Sequence, residues 1–504
     1  MISLGVYRGA GEHAAVVVND GAVASAVHAP GATERGSLPD SAQRALAIAG
    51  VRFTDLDVVC STDGETSGAT QTVAPAAAHA AQVRAVACEC RVAVHLDDHA
   101  GGIASIIETD TAAASEIGGM GAVLRSAASL ATALGLSSGR PLEALESIAS
   151  KDTDTSPAVA IDRRGASFCV RVDTSAIAPL VAQLTHRCPS PADVAGNPHI
   201  EVQRLRTQAA TAMLESVAAA VAAVADRAGN GSRCAAFTGS AWSSPEFVAR
   251  LRRRVDTTVV PVPEPFGQAL GAALAPHRDV RPLAHLALGP AFDENEIKTA
   301  LERCRLDYVY EPDWSRLYGR VSDLLATGAL VGWYQGRADF SRQSFGSRSF
   351  LCDPSCRYSR ENVNVFLLNR NVQAPLPLSL DAAEETVVPD GSRSRFAYAT
   401  ARPQADATPR IASAIDRHGR LLCHVADGDA APEFLALLRT HRQRTNVPGL
   451  LNVPMLVDGV LAPTPREAIR EMYGSAADAL VIGRFLVAKD YWLLRGRAAA
   501  TGAR

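Results

Sequence analysis

The first sixty residues contain strand-like runs before any helix, and this order limits the sheets into which the chain can fold. Apolar runs at 2–7 and 14–18 are followed by Asp20-Gly21 and then by AVASAVHA. An Asp-Gly step between alternating apolar residues is typical of a tight hairpin turn. A helical stretch, SAQRALAIAG, ends at Gly50, and the strand-like LDVVCST comes next. Hairpin strands followed by one helical crossover predict a mixed sheet in an α/β fold.

The middle of the chain contains one long helix-forming segment and one candidate linker. Residues 200–228 keep helical spacing and end before Gly-Asn-Gly, which predicts a helix followed by a loop. Pro276, Pro282 and the charged residues between them are typical of a linker. Because 504 residues are too many for one compact core, we predict domains at 1–282 and 283–504.

The second predicted domain alternates helices and strands. An amphipathic helix begins after Asp293 in FDENEIKTALERCR, and another ends near Gly328. ALVGWYQGR then predicts a strand. Near the end, NVPGLLNVPM and ADALVIGRFLVAK predict buried strands joined by the helix TPREAIREMYG. This domain is therefore also expected to be α/β.

Composition argues against several classes of partner. The 50 basic and 53 acidic residues nearly balance, so neither nucleic acid nor an acidic membrane is favoured. No basic region precedes the first apolar run, and we expect no membrane span, which predicts a cytoplasmic protein. The ten cysteines, including the pairs Cys88/Cys90 and Cys352/Cys356, favour reduced thiols over disulfides or zinc.

One long motif, GWYQGRADFSRQSFGSRSFLCDP, occupies residues 332–354. Without a gap it resembles the segment in which O-carbamoyltransferases of antibiotic and nodulation-factor biosynthesis, the NodU/CmcH type, carry Gly-Trp, Gln-Gly-Arg, Glu-Phe-Gly-Pro-Arg-Ala-Leu-Gly-Asn-Arg-Ser and Asp-Pro. HLALGPAFDENEIKTALE, GQALGAAL and PREAIREMYGSAADALVIGRFLVAK support the match. The resemblance extends over nearly the whole chain and is weakest at 100–200.

The resemblance implies a fold and a reaction. Such proteins join an actin-like ATPase-type N-terminal domain, similar to the tRNA threonylcarbamoyl transferases, to a YrdC-like α/β domain. The second domain is expected to make carbamoyl adenylate from carbamoyl phosphate and ATP. The first is expected to transfer the carbamoyl group to a substrate hydroxyl beside a divalent metal, iron or magnesium. This chemistry needs cations around the phosphates, a polarised carbonyl and a base.

The resemblance assigns the metal to His95 and His99 in VHLDDHAGG, which match the family's His-x-x-x-His. On a helix, imidazoles at i and i+4 face one side and can share a cation. Members supply a further aspartate where this chain has Pro265. We therefore name as substitute ligands the nearby carboxylates Glu264, Asp97 and Asp98. A histidine pair without a metal is the alternative.

The resemblance also implies a catalytic histidine in the first hairpin. Gly9 or Ala10 falls at that position, and His13 lies nearby. His13 is therefore our candidate for a displaced base that deprotonates the acceptor hydroxyl. Its alternation with core residues also predicts a buried structural histidine.

The segment that binds phosphate in the family keeps only part of its cations. Gln343 stands where members have a first arginine, and Arg342 is a candidate substitute. Arg348 and Ser349 keep the family register. Arg348 is our candidate for the main catalytic cation, because a guanidinium can hold phosphate by two parallel hydrogen bonds. An ion pair from Arg348 to Asp339 or Asp353 is the alternative.

Three further family strings are eroded. NVQAPLPLSL offers Gln373 and no cation where members have a lysine and arginines. QADATPR has Gln404 in place of a histidine, and NVPML replaces Asn-Thr-Ser-Phe-Asn. Val453 and Pro454 have no side-chain donors to offer a nucleotide. The remaining candidates for contacts with ATP in these strings are Asp406, Thr408, Arg410 and Asn452.

We therefore predict a carbamoyltransferase-family protein of natural-product biosynthesis that uses ATP and carbamoyl phosphate on a small hydroxylated acceptor. Two alternatives stay open. In one, the chain is a pseudoenzyme that acts as a scaffold or activating subunit, as a homo-oligomer or with an intact homologue. In the other, it transfers a different acyl group through an adenylate. Under each of these three hypotheses, the lost charge-assisted contacts, each worth roughly 1.5–3 kcal/mol, weaken the binding of ATP and carbamoyl phosphate.

Overall fold

The structure is a computed structural model. It describes residues 1–8, 12–30, 39–61, 71–86, 90, 92–97, 103–108, 111, 114–118, 120–136, 141–146, 148–149, 159–164, 167–173, 175, 177–186, 198–228, 235–239, 241, 245–255, 257–259, 266–370, 372, 374, 376–387, 396, 398–416, 419–426 and 428–490. Contacts group these residues into two compact units. The first unit joins Met1–Gln71 to Leu283–Arg504, and the second is Thr72–Pro282.

The grouping differs from the division expected from the sequence, although both have a boundary at residue 282. The predicted domains 1–282 and 283–504 stay a prediction.

The N-terminal sheet is the predicted mixed sheet. Its strands are β1 (Ile2–Arg8), β2 (Glu12–Asn19), β3 (Ala22–Pro30), β4 (Val58–Ser61) and β5 (Gln71–Thr72), and helix α1 is Asp40–Ala49. The strand order is β3-β2-β1-β4-β5, with β1 to β3 antiparallel and β4 parallel to β1. The left-handed φ angles of Asp20 and Gly21 close the predicted hairpin turn. Gly50 ends α1 in the same conformation.

The second unit contains a sheet that repeats this strand order. Its elements are α2 (Pro75–Val86), β6 (Val92–Asp97), β7 (Ile103–Glu108), β8 (Ala114–Gly118), α3 (Met120–Ala133), α4 (Pro141–Glu146), β9 (Val159–Arg164), β10 (Ser167–Val172), α5 (Ile177–His186), α6 (Pro198–Ala228), β11 (Ala235–Thr238), α7 (Pro245–Arg252), β12 (Thr257–Val259) and α8 (Phe266–Leu274). The order is β12-β11-β6-β7-β8-β10-β9. Read from the other end, its strands β8-β7-β6-β11-β12 repeat the order β3-β2-β1-β4-β5 of the N-terminal sheet. Strands β6 to β8 are antiparallel, and β11 is parallel to β6 and β12.

Helix α6 is the long helix predicted at 200–228. Its apolar face, including Leu214, Val217 and Val221, is buried in the main core of the second unit. Contrary to expectation, the span Val202–Ala228 is long and apolar enough to cross a membrane by length and composition. However, 78% of its apolar window is buried inside the protein, as in a core helix.

The rest of the first unit is an α/β layer. Its elements are α9 (Glu294–Arg303), β13 (Val309–Tyr310), α10 (Trp314–Ala326), β14 (Val331–Tyr334), β15 (Arg348–Cys352), α11 (Ser359–Glu361), β16 (Pro377–Leu380), β17 (Ala399–Ala401), β18 (Leu421–Val425), α12 (Pro432–Thr445), β19 (Gly449–Pro454), β20 (Leu456–Val457), β21 (Val460–Leu461), α13 (Pro465–Gly474), β22 (Ala479–Ile482) and β23 (Phe485–Ala488). The large sheet has the order β13-β23-β22-β14-β15-β19-β16-β18-β17.

The predicted helix after Asp293 has a sequence-encoded start. Asp293 accepts a hydrogen bond from the Glu296 amide at 2.9 Å, and the Glu296 carboxylate accepts one from the Asp293 amide at 2.8 Å. This reciprocal capping box satisfies two amides that the helix cannot.

The α/β fold class is confirmed, and the repeated strand order of the first two sheets is that of actin-like ATPase-type domains. The expectation of reduced thiols is confirmed for six cysteines, which are free: Cys60, Cys169, Cys304, Cys352, Cys356 and Cys423. The expectation is wrong for Cys90, which is disulfide-bonded.

A buried polar network ties two helices to the end of β15. His441 on α12 has Nε2 at 3.2 Å from Asp353 Oδ2 and Nδ1 at 3.0 Å from Ser322 Oγ on α10. Asp353 also accepts hydrogen bonds from the amide and hydroxyl of Ser355. Burial alone would raise the pKa of Asp353, but the bonds from His441 and Ser355 hold it below its usual range.

We expect Asp353→Asn to lower the free energy of unfolding at pH 7 by about 1.5–3 kcal/mol, because charge-assisted hydrogen bonds are lost. A depressed pKa gives stability that is complete above the unfolded value, about 3.9 for Asp, and that is lost as pH falls through the folded value. The difference between wild type and variant should therefore narrow below about pH 4. Urea titrations across this pH range measure it.

Asp323→Asn is the control, because this α10 carboxylate is 65% exposed and pairs only at the surface with Arg444. It should change stability by less than about 1 kcal/mol. A penalty for Asp353→Asn that stays constant with pH would contradict the assignment.

Candidate functional site

Arg348, the predicted catalytic cation, is the first residue of β15 and is fully buried. Its Nη1 donates to the carbonyls of Gln335 (2.7 Å) and Ser347 (2.9 Å). Its Nη2 donates to the carbonyls of Pro290 and Gly336, both at 3.0 Å. Two terminal nitrogens carry four N–H groups, and four carbonyls receive them.

The environment of Arg348 contains an aromatic ring in addition to these carbonyls. Its guanidinium carbon lies 3.7 Å from the centre of the Tyr334 ring, a cation–π contact. Burial lowers the pKa of Arg348 and raises that of Tyr334 to about 12. The salt bridges in the described part of the chain include none from Arg348 to Asp339 or Asp353. The main chain therefore occupies the four terminal N–H groups of the guanidinium, and Nε has no hydrogen-bond partner among the described residues.

The loop before Arg348 is fixed by Asp339. Its Oδ2 accepts hydrogen bonds from the Phe345 amide (2.9 Å) and the Ser347 hydroxyl (2.5 Å). Burial raises the pKa of Asp339. Gly346 in this loop has φ +113°, and a Cβ there would lie 2.3 Å from Phe434. The family glycine is thus required for packing, whether or not the loop binds a ligand.

Ser349 and Asn452 lie together below this loop. The Ser349 and Ser344 hydroxyl oxygens are 2.8 Å apart, and Ser344 Oγ also accepts from the Arg348 amide. Asn452 Nδ2 donates to the Ser344 carbonyl (3.1 Å) and to Ser379 Oγ (2.9 Å). All four side chains are buried. Ser349 and Asn452, both candidates for contacts with ATP, therefore meet at Ser344, and their role in binding stays a prediction.

The sequence did not single out Tyr398, which covers these residues. Its hydroxyl donates to the Ser344 carbonyl (3.0 Å), and its amide donates to Gln343 Oε1 (3.3 Å). Its ring packs beside Phe345 and His424, with ring centres 5.8 Å and 6.3 Å away. No motif pointed to Tyr398 or His424, because both are distant in sequence from Ser344 and Phe345 and contact them only after the sheet has folded.

The remaining candidates in this domain lie at the surface. Arg342, Asp406 and Thr408 are exposed, and Arg410 is half-buried. Thr408 donates to the Gln404 carbonyl, and Arg410 donates to the Asn446 carbonyl at 3.1 Å. Gln373 lies outside the described residues.

His13 is buried on β2, and its Nδ1 is 2.7 Å from the Ser41 hydroxyl on α1. The structural role that the sequence left open is therefore present. The role of His13 as a displaced base stays a prediction.

His95 lies on strand β6 and not on a helix, so the predicted helical i, i+4 geometry is wrong. Its Nδ1 is 3.2 Å from Thr238 Oγ1. The ring of His79, a residue that no motif marked, is 4.2 Å from the ring of His95. Burial, with a smaller effect from His95, lowers the pKa of His79 to about 3.

The described residues do not form a complete metal site. They contain no group of three or more His, Cys, Asp or Glu side chains that could hold an ion. The other predicted ligands, His99, Asp98, Glu264 and the side chain of Asp97, lie outside the described residues. His95 is therefore the one member of the predicted set whose surroundings are defined.

The fold is that of an α/β protein whose first two sheets share an actin-like strand order and whose C-terminal part is a further α/β layer. Residues 322–489 match the carbamoyltransferase C-terminus family. Nodulation protein NolO of Bradyrhizobium diazoefficiens is 30% identical over 250 residues, 46% of this chain and 45% of that protein. Nodulation protein NolNO of Sinorhizobium fredii is 28% identical over 34% of this chain and 26% of its own length.

These matches support a carbamoyltransferase-family member of the NodU/CmcH type, and the family model itself covers residues 322–489. The chain spans less than half the length of these curated relatives.

Two solved structures are similar over about half of the chain. The activator of 2-hydroxyisocaproyl-CoA dehydratase from Clostridium difficile with bound ADPNP is 18% identical, with a TM-score of 0.35, over 54% of this chain and 93% of that one. Full-length HypF in the phosphate- and nucleotide-bound form is 11% identical, with a TM-score of 0.37, over 55% of this chain and 46% of that one. Scores this low carry no functional argument.

We expect Arg348→Lys to lower the free energy of unfolding by about 3 kcal/mol or more, because one ammonium cannot reach four carbonyls spread around a planar fork. Urea unfolding measures this loss. Arg342→Lys, an exposed change in the same loop, should alter stability by less than about 0.5 kcal/mol. Equal stability of Arg348→Lys and wild type would mean that the guanidinium is not held by the main chain.

If the chain holds a metal, we expect the double change His95→Ala and His99→Ala to remove it, because imidazole nitrogens would be its main ligands. Elemental analysis should show about one ion per chain in wild type and none in the variant. His13→Ala, which alters a buried histidine of the other unit, should keep the metal. Equal metal content in both, or none in either, would rule out this site.

Proposed function

We propose that this chain is a carbamoyltransferase-family protein that does not itself form carbamoyl adenylate. In this proposal it is a pseudoenzyme, a scaffold or activating subunit for an intact homologue that handles ATP, carbamoyl phosphate and the hydroxylated acceptor. One observation carries the proposal: the four terminal N–H groups of Arg348 are all directed at backbone carbonyls.

The neighbouring residues support the same conclusion. Gln343 replaces a family arginine, and its side chain accepts a hydrogen bond from the Tyr398 amide. Losing two charge-assisted phosphate contacts costs about 3–6 kcal/mol, which is roughly a hundredfold to ten-thousandfold in affinity. We therefore expect such a site to bind two phosphate-bearing substrates together only weakly.

The proposal also accounts for what is retained. Gly346, Asp339 and Arg348 keep family positions, and each has a packing or hydrogen-bonding role in the folded loop. A protein that acts through its surface needs this fold but not the donor site. We therefore favour a binding role over transfer of a different acyl group.

The direct test is calorimetric titration of the full chain with magnesium ATP. We expect a dissociation constant weaker than about 1 mM and no pyrophosphate release when carbamoyl phosphate is added. A dissociation constant in the low micromolar range, or pyrophosphate release by the chain alone, would overturn the proposal in favour of an active carbamoyltransferase.

The subunit role has its own measurement. Mixing the chain with an intact carbamoyltransferase from the same source should yield a complex by size-exclusion chromatography. Failure to associate with any intact family member of that source would contradict the scaffold role.

A further inference from the structure

A cavity within the first unit lies where strand β3 meets the loop that precedes Arg348. Its walls are formed by residues 26–28 of β3, by residues 289–290 and by residues 338–341, and Arg44 of α1 also lines it. The empty space is about 380 Å³ with the open mouth included, which limits a ligand to a few non-hydrogen atoms. None of the residues that the family resemblance assigned to ATP, to a metal or to catalysis lines this cavity.

We propose that the cavity binds a small zwitterion of the α-amino acid class. Its ammonium group lies toward Ala26 and Asp339, and its carboxylate lies toward Arg44 and His28. The inference goes beyond the proposed function and does not depend on whether the chain forms carbamoyl adenylate. It rests on buried acceptors without donors and on cations in the same lining.

The first acceptor is the main-chain carbonyl of Ala26, which lies on the edge strand of the N-terminal sheet. Ala26 is opposite Val16 in the antiparallel β2–β3 pair, but its amide donates away from the sheet, to the Leu288 carbonyl at 3.1 Å. In an antiparallel pair, the N–H and C=O of one residue point to the same side. The Ala26 carbonyl therefore also points away from β2, although Ala26 is fully buried.

The segment opposite this edge has no amide to give to that carbonyl. The Leu288 amide donates to the Leu286 carbonyl (2.7 Å), and the Gly289 amide donates to the Ala338 carbonyl (2.9 Å). Pro290 has no N–H at all. Since a buried carbonyl without a donor is unfavourable, this position suits a ligand that brings an N–H group.

The second acceptor is the carboxylate of Asp339, which lines the cavity and is 8% exposed. Its Oδ2 accepts from the Phe345 amide and the Ser347 hydroxyl, but no hydrogen bond among the described residues reaches its Oδ1. An ammonium group carries three N–H donors and a positive charge. One such group can therefore serve both the Asp339 carboxylate and the Ala26 carbonyl.

The lining also contains donors for an anionic group, and these are more exposed than the two acceptors. Arg44 is 43% exposed and pairs through Nε with Asp40 at 2.8 Å. A guanidinium has five N–H donors, and one carboxylate occupies two of them at most, so Arg44 can hold a second carboxylate. The half-buried imidazole of His28 adds a donor, and so does Ser341, whose oxygen accepts from the Gln343 amide while its proton stays available.

This arrangement of groups selects the class of ligand. A simple anion would leave the inner carbonyl without a donor and would lie near the Asp339 carboxylate. A simple amine would leave the donors of Arg44 unused. An α-amino acid carries N–H donors and a carboxylate on one carbon, so it matches the buried acceptors and the exposed cation together.

The test is equilibrium dialysis of the full chain with glycine, the smallest member of the class. We expect a dissociation constant of about 1 mM or tighter. At ten times that concentration, glycine should raise the melting temperature by about 2–4 °C. Two matched probes define the contacts, because acetate lacks the nitrogen and glycine betaine keeps both charges without any N–H. Each should bind at least about tenfold more weakly than glycine, since hydrogen bonds to buried acceptors are missing.

Variants locate the site. Arg44→Gln should weaken glycine binding at least about tenfold, because a charge-assisted contact is lost. Arg52→Gln is the matched control, since Arg52 is 82% exposed, pairs with Asp55 and does not line the cavity. It should bind glycine as wild type does. If Arg44→Gln does not fold, Ser341→Ala removes another donor and should also weaken glycine binding.

Three results would overturn the inference: no glycine binding by wild type, equal binding of glycine and glycine betaine, or wild-type affinity in a folded Arg44→Gln. The first would mean that the cavity holds only water. These outcomes are separate from the magnesium ATP titration. Micromolar ATP binding would end the proposed function and leave the glycine site standing, whereas absence of glycine binding would end only the present inference.

Discussion

The C-terminal domain depends on one buried cation. Arg348 brings together the carbonyls of Pro290, Gln335, Gly336 and Ser347, which come from three separate stretches of chain. An isolated charge in such a place would cost several kcal/mol, so the carbonyl dipoles must remain arranged around it. The same arrangement that makes the loop rigid uses the hydrogen bonds by which a guanidinium would bind phosphate.

In the proposed function, this use of Arg348 would let the family motif persist without its chemistry. Asp339 and Gly346 are needed to shape the loop, and replacing either would leave amides unsatisfied or create a clash with Phe434. Gln343 and Tyr398, in contrast, contact each other where donor-binding groups would be expected.

Hydrogen bonds to main-chain carbonyls also connect parts of the first unit that are far apart in the sequence. Arg337 donates to the carbonyls of Gly289 (3.1 Å) and Ala24 (3.2 Å), and the Ala26 amide donates to the Leu288 carbonyl (3.1 Å). These bonds connect strand β3 to the start of the C-terminal part, which is why contacts group residues 1–71 with 283–504. Carbonyl acceptors are present on every residue and leave no mark in a sequence.

Local order was determined by the sequence itself: the Asp20-Gly21 hairpin, the Asp293 capping box, the long helix to Ala228 and the α/β class all follow from spacing and turn chemistry. The sequence also named Ser349 and Asn452 as candidates, but it did not indicate that both would contact Ser344. Tertiary structure alone decided that Arg348 is enclosed by carbonyls, that His95 lies on a strand, and that Tyr398 packs over Ser344 and Asn452. Side-chain identity specifies which groups can form hydrogen bonds, but the partner is chosen by backbone atoms and rings that only folding brings within reach.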